Sequence, residues 1–311
     1  MAQTSVATLF EANQERLALH HLCGNLLRLV VADSGRVWPA DLVGHLNLIH
    51  PERIQVLGLE EIGWAQRQPA DKVRHHVQEI SAATPPAMVV ADGCPVPEVI
   101  LDACQSRDIA LFSTPREAAS VIDTLRAQLS RTLGEHTSVH GVFMDVLGLG
   151  VLITGDSGVG KSELALELIS RGHGLVADDV VEIARVGPNT LEGRSPELLR
   201  DFLEVRGLGI LNIRTIFGET ACRRRMRLKL AAHLERARPP SPDTPRLPLE
   251  AETQEILGAK IRRVTIPVAA GRNIAVLLEA AVRTTILQLR GINSTQEFVE
   301  RQRQALSGDD V

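Results

Sequence analysis

One short stretch constrains this chain more than any other. Gly155, Asp156, Ser157, Gly158, Val159, Gly160, Lys161 and Ser162 satisfy G-x-x-x-x-G-K-[ST], a pattern that average residue usage would produce by chance on the order of one time in a hundred in a chain of this size. Its flanks are those the pattern requires. Residues 150–154, GVLIT, read as a strand, and residues 162–170, SELALELIS, read as a helix. A loop at that junction lies where backbone N–H groups and the helix dipole both face an anion. The glycines clear the backbone for close approach to phosphate oxygens, Lys161 adds a cation, and the Ser162 hydroxyl suits Mg2+. The expected ligand is the phosphate chain of a nucleotide, held by all eight residues.

A phosphate loop implies an α/β domain, and the rest of the second half agrees. Residues 139–145 read as one strand, Leu147 and Gly148 as a turn, and 161–171 as a helix that Gly172 ends in a left-handed conformation. A strand over 175–177 delivers Asp178 and Asp179 at its carboxyl end, the side on which open α/β sheets bind ligands. An acidic pair there either caps a turn or serves the metal or the reacting hydroxyl. His140, on the strand before the loop, reads by itself as a hydrogen-bonded core histidine or as a site residue. Glu204 and Arg206 flank Val205 ahead of a Gly-Leu-Gly segment and can approach phosphates and metal. Further on, residues 237–248 hold five prolines and read as an exposed loop. Residues 273–290 have helical periodicity, and Ser294 with Glu297 matches a capping box opening a last amphipathic helix.

Ahead of all this, short apolar runs at 27–32, 54–57 and 87–91 alternate with amphipathic stretches at 96–107 and 115–133, again an α/β pattern. Thr114 is placed to cap the second of these, with Pro115 in its first turn. The pattern stops at the polar GEHTS of residues 134–138, which divides the 311 residues into domains 1–133 and 134–311. Two domains also suit the length, because single cores rarely grow past roughly 250–300 residues.

Composition excludes several function classes. A net charge of −4, no tyrosine, six phenylalanines and two tryptophans leave little for nucleic-acid binding. Arg223–Arg227 is the one basic run and reads as a solvated helix face. No apolar stretch reaches the roughly 18 residues of a membrane span, and the first residues lack a secretory pattern, so a cytoplasmic address is expected. The cysteines, Cys23, Cys94, Cys104 and Cys222, show no pairing pattern and read as reduced packing residues.

Four segments together carry a resemblance: SVHGV at 138–142, GVLITGDSGVGKSE at 150–163, RGHGLVADD at 171–179 and LEVRGLGILN at 203–212. In order and spacing they resemble the bacterial HPr kinase/phosphorylase family, strongly over 138–293. The resemblance implies a C-terminal, phosphoenolpyruvate carboxykinase-like kinase domain carrying the phosphate loop, behind a variable N-terminal domain. It implies an enzyme that uses ATP and Mg2+ to phosphorylate a serine of the phosphocarrier protein HPr, and that reverses the modification by phosphorolysis, releasing pyrophosphate. Regulation of the phosphotransferase system and carbohydrate metabolism would follow, as would a homohexamer built through the C-terminal domains. Carried over by position, Asp179 is the base in the forward direction and the acid in reverse. His140 and Lys161 join it in the active site, Ser162 and Glu204 hold the metal, and Arg246 lies near the transferred phosphate. The segment VAAGRN at 268–273 departs from the family, whose members commonly carry arginine and proline before Gly-Arg-Asn. That segment is tied to the reverse direction, and Arg272 remains as a phosphate ligand there.

Three rivals share the phosphate loop: an ATP-hydrolysing switch, a small-molecule kinase, and a nucleotide-responsive protein that only docks to HPr. A switch would turn over ATP without a protein acceptor, a second-metal kinase would need a His/Lys/Asp cluster, and a docking protein would tolerate loss of Asp179.

Overall fold

A run buried on both faces has no polar side, and two such runs anchor the first half of the chain. In a computed structural model that describes residues 2–32, 37–236 and 252–308, contacts divide the chain into two units, Met1–Gly134 and Glu135–Val311. The first contains strands β1 (Ala2–Ser5), β2 (His20–Cys23), β3 (Leu29–Ala32), β4 (Val43–His45), β5 (Ile54–Leu57), β6 (Ala87–Val90) and β7 (Ala110–Ser113). Its helices are α1 (Val6–Glu11), α2 (Gln14–Leu17), α3 (Leu59–Gln66), α4 (Ala70–Ala82), α5 (Glu98–Ser106) and α6 (Ala118–Leu133). Strands β4 to β7 are parallel and β2 adds antiparallel, in the order β2-β7-β6-β5-β4. Alternate residues of β5 to β7 feed two cores: Val56, Val89 and Phe112 meet α1 and α6, while Leu57, Met88 and Leu111 meet α3, α4 and α5. Helices therefore cover both faces, as alternating strands and amphipathic segments require.

Helix α6 starts at Ala118, three residues after the expected proline. Thr114 does not cap it, because its hydroxyl donates to Leu17 O and accepts from Arg116 N. Asp92, from the loop after β6, takes over by accepting from Ala118 N at 2.9 Å and from Leu59 N at 2.8 Å.

The second unit holds β8 (His136–His140), β9 (Val142–Val146), β10 (Leu149–Gly155), β11 (Gly174–Ala177), β12 (Val180–Gly187), β13 (Thr190–Arg194), β14 (Phe202–Val205), β15 (Gly209–Asn212), β16 (Arg225–Arg236), β17 (Thr253–Ile256) and β18 (Ala259–Val268). Helices α7 (Lys161–Ser170), α8 (Ile213–Phe217), α9 (Ile274–Leu289) and α10 (Ser294–Gly308) complete it. The main sheet runs β11-β9-β10-β16-β13-β12-β8, with β18 also on β16 and β17 on β18. It folds back over itself. Val142, Met144, Val151, Ile153 and Leu175 face α7 and α9, while Phe143, Leu152 and Val176 from the same strands share a core with Val181, Ile183 and Leu191 of β12 and β13.

The single strand expected over 139–145 is two. The chain leaves β8 at His140, passes Gly141, and enters β9, which pairs with other strands. Glycine is required at the crossing because a Cβ there would lie 2.5 Å from Ile153 O. A second crossing, from β11 to β12 through Asp178 and Asp179, runs beside the first, with Gly141 N donating to Asp179 O at 3.1 Å. Near-continuous apolar residues concealed the first crossing, whereas the second follows the strand end expected at residue 177.

The run Arg223–Arg227 enters β16 rather than a helix. Arg225, Met226 and Arg227 pair with β13, and Arg223 reaches back to Asp145 at 2.9 Å. At the last helix Asn293 caps instead of Ser294, its side-chain oxygen accepting from Gln296 N at 3.3 Å. The proline-rich 237–248, Arg246 included, lies outside the described residues. Among the described residues no helix is long and apolar enough to cross a membrane.

Candidate active site

Strand β10 ends in the glycine-rich loop and α7 begins inside it. Gly155 (φ 142°) and Gly160 (φ 104°) hold conformations that a side chain would strain, and a Cβ on Gly155 would meet Leu234 O at 2.4 Å. Leu164 N makes the first intrahelical bond, to Gly160 O at 3.0 Å. The N–H groups of Lys161, Ser162 and Glu163 thus stand at the open end of the helix, where an anion is favoured. Lys161 is buried, and its ammonium donates to Gly155 O at 2.9 Å and Asp156 O at 3.1 Å. An ammonium has three donors, so one remains for a ligand.

Facing this loop are the two crossings. Antiparallel pairing of β8 with β12 sets His140 opposite Val180. That register brings His140 Nδ1 within 3.0 Å of Asp179 Oδ1, although 38 other residues separate the two in the chain. Both side chains are about three-fifths exposed, 62% and 61%, so His140 is at a cavity mouth and not in a core. Asp179 sits at φ 63°, which turns its carboxylate outward.

The third wall is the β14–β15 hairpin. Leu203 and Val205 pack under it against the α7 core, so alternation turns Glu204 outward. Arg206 lies across the loop, its guanidinium nitrogens 3.3 and 3.4 Å from where a Gly158 Cβ would be. His140, Lys161, Ser162, Asp179, Glu204 and Arg206 all line one cavity of ≈ 180 Å³. Of the expected residues, His140, Lys161, Ser162, Asp179 and Glu204 therefore meet around one cavity, whereas Val159 and Arg272 line a neighbouring one.

Two family profiles match the chain: one described as "HPr Serine kinase N terminus" over residues 4–129 and one as "HPr Serine kinase C-terminal domain" over residues 131–302. The chain is 65% identical over 309 residues to the HPr kinase/phosphorylase of Aromatoleum aromaticum, covering 99% of each. It belongs to the HPr kinase/phosphorylase family. The HPr kinase/phosphorylase of Azoarcus sp. is 64% identical, again with 99% of each chain covered. Among solved structures, the Hpr(Ser) kinase/phosphatase from Coxiella burnetii is 35% identical, covering 52% of this chain and 98% of that one at a TM-score of 0.47. The fold class that the resemblance implied, an α/β domain ahead of a phosphate-loop kinase domain, is that of this family.

Two residues lining this cavity were singled out in the sequence but not carried into the set that the resemblance implied. Arg206 is one; it stands in the turn just after β14, where the alternation that turns Glu204 outward continues for one more residue. The other is Asp178, which is buried where Asp179 is exposed. Asp178 Oδ2 accepts from Glu204 N at 2.9 Å, tying the hairpin to the crossing. Burial raises its pKa above the ordinary carboxylate range, against the lowering effect of backbone N–H groups from Glu204 and Asp179.

A divalent cation sharing the cavity would offset that cost. With His140 paired to Asp179, the donors that face the cavity are mostly oxygen, among them the Ser162 hydroxyl and the carboxylates of Glu204, Asp178 and Asp179. Among the described residues no group of three or more His, Cys, Asp and Glu forms a cage. That combination fits a hard ion taking one or two carboxylates and completing its shell with water and phosphate oxygens, as Mg2+ does.

The raised pKa of Asp178 has a measurable consequence. A carboxylate whose folded pKa exceeds its unfolded value favours folding below the unfolded pKa, near 3.9, and loses that contribution as pH rises through the folded value. Asp178→Asn removes the ionisation. In metal-free buffer its stability relative to wild type should improve as pH rises from about 4 to about 7, measured by urea unfolding at several pH values. A difference independent of pH would contradict the assignment.

Proposed function

We propose that the chain transfers the terminal phosphoryl group of ATP to a serine hydroxyl of HPr, with Mg2+ bound, and reverses the modification by phosphorolysis. The observation that carries this reading is the Asp179 carboxylate, oriented by His140, in the same cavity as Lys161 and Ser162. The near full-length relatives bearing the name HPr kinase/phosphorylase supply the acceptor and both directions.

Phosphoryl transfer needs positioning and charge neutralisation more than covalent chemistry. The loop amides, Lys161 and Arg206 hold the phosphates. Ser162 and Glu204 would hold Mg2+, which would supply charge neutralisation to the phosphates. Asp179 Oδ1 is occupied by His140, which leaves the other oxygen to take the seryl proton. The serine oxygen then bonds to phosphorus as the bond to ADP breaks, its electron pair leaving on ADP. In reverse, an oxygen of orthophosphate attacks the phosphoserine phosphorus, the serine oxygen departs with the proton from Asp179, and pyrophosphate forms. Arg246 is assigned to the transferred phosphate from its place in the family pattern. A homohexamer joined through residues 134–311 and a cytoplasmic location belong to the same proposal.

Incubating the purified protein with Mg2+, ATP and HPr, followed by mass spectrometry of HPr, tests the reading. One phosphate on a serine is expected. HPr left unmodified across several nucleotide conditions, with ATP hydrolysed regardless, would favour an ATP-driven switch.

A further inference from the structure

The 180 Å³ cavity is polar and already accounts for phosphates, metal and the incoming hydroxyl. No apolar side chain lines it to receive the base of a nucleotide. A second cavity, ≈ 420 Å³, opens on the other side of the start of α7, within the roughly 300–1,000 Å³ typical of small-ligand sites. Gly160 and Glu163 line both cavities, so the two are joined across one turn of chain. The character of the second differs. Val159, Leu164, Leu234, Val268 and Ile274 give it an apolar wall that the first lacks, Glu163, Glu167 and Asn273 line the rest, and Arg272 is the cation on its rim.

Local geometry explains that rim. Arg272 N donates to Ala269 O at 3.2 Å, closing a turn in which Gly271 takes φ 80°. Asn273 then caps α9, accepting from Val276 N at 3.0 Å. The cap is tied to the far end of α7 through Arg171, which reaches Asn273 Oδ1 at 3.5 Å and Glu279 Oε2 at 3.3 Å. His173 binds the same Glu279 at 2.9 Å. The segment bearing Arg272 is thus held against the helix that carries the phosphate loop.

We infer that this second cavity receives the nucleoside half of the nucleotide, with the Arg272 guanidinium across the face of the base and the Glu163 carboxylate accepting from ribose hydroxyls. The inference rests on the proposal that the triphosphate occupies the glycine-rich loop. A flat heterocycle with apolar faces suits that apolar wall, and a guanidinium stacks on such a face where an ammonium would not. Arg272 is then a nucleoside contact and not a phosphate ligand.

Inorganic tripolyphosphate separates the two halves, since it has the phosphates without the nucleoside. Calorimetric titration of the full chain with ATP and with tripolyphosphate, both with Mg2+, should show that Arg272→Ala weakens ATP about three- to thirtyfold and leaves tripolyphosphate within twofold. Val268→Trp, which fills the cavity from its wall, should do the same, and retained tripolyphosphate binding shows in each case that the fold is intact. Parallel losses for both ligands in Arg272→Ala would make Arg272 a phosphate ligand and overturn the inference. Unchanged ATP binding in both variants would overturn it too. Failure of the wild type to bind tripolyphosphate would instead sink the phosphate-loop reading beneath it.

Discussion

Lys161→Met is expected to reduce kcat/KM for HPr phosphorylation by about a thousandfold or more, with the fold retained. Removing a single preorganised donor from a developing anion costs roughly 10²–10³ in rate, and this substitution removes more. The ammonium is the buried cation at the loop, and its bonds to Gly155 O and Asp156 O brace the loop in its open curve. Methionine fills similar space but supplies neither the charge nor the brace. Stability should hold, because a buried charge carries a desolvation cost that an apolar side chain does not. Steady-state phosphorylation of HPr with thermal unfolding in parallel is the measurement. Activity within tenfold of wild type would mean that the phosphates do not sit on this loop.

How far the sequence could be read followed the range of the interactions. Strand, glycine-rich loop and helix over residues 149–170 are local: the apolar run, the left-handed glycines and the helix period are all encoded within some twenty residues. Strands β5 and β6 were equally legible, since continuous apolar runs bounded by turn residues signal strands buried on both faces. What escaped depends on distant pairing. The break at Gly141 is set by the position of Ile153 O on another strand. Thr114 looked like a cap until Leu17 O, nearly a hundred residues earlier, claimed its hydroxyl. Arg223–Arg227 had the composition of a helix face, yet its neighbours across the sheet are Asp145 and the arginine- and glutamate-bearing β13.

The site divides along the same line. Its loop residues were given by one motif, whereas the roles of His140, Asp179 and Glu204 came from a resemblance, because nothing local says that three separated segments meet. The structure supplies the reason: two adjacent strand crossings and a hairpin whose amide is tied to Asp178. Sequence alone also gave no means of telling Asp178 from Asp179. Burial does: the first carboxylate is enclosed and spent on backbone amides, the second is exposed and paired with an imidazole.

That distinction decides the second large effect. Asp179→Asn should lower kcat for HPr phosphorylation by roughly 10²–10⁴, the range for loss of a general base, while ATP affinity stays within about threefold, since the carboxylate's task arises only at proton transfer. Asparagine is the informative replacement for a structural reason. Residue 179 sits at φ 63°, a left-handed conformation that asparagine tolerates and that costs other L-residues roughly 1–2 kcal/mol. Asp179→Ala would therefore mix backbone strain with lost chemistry. The asparagine oxygen can still accept from the His140 Nδ1–H that now lies 3.0 Å from Asp179, so the geometry of the crossing survives and only basicity is removed. Phosphorolysis, measured as pyrophosphate released from phosphoserine-HPr, should fall by a similar factor because the same group returns the proton. If Asp179→Asn keeps forward turnover within threefold of wild type, Asp179 is not the base; Asp178, buried and already accepting from Glu204 N, could replace it only by breaking the tie that positions the hairpin.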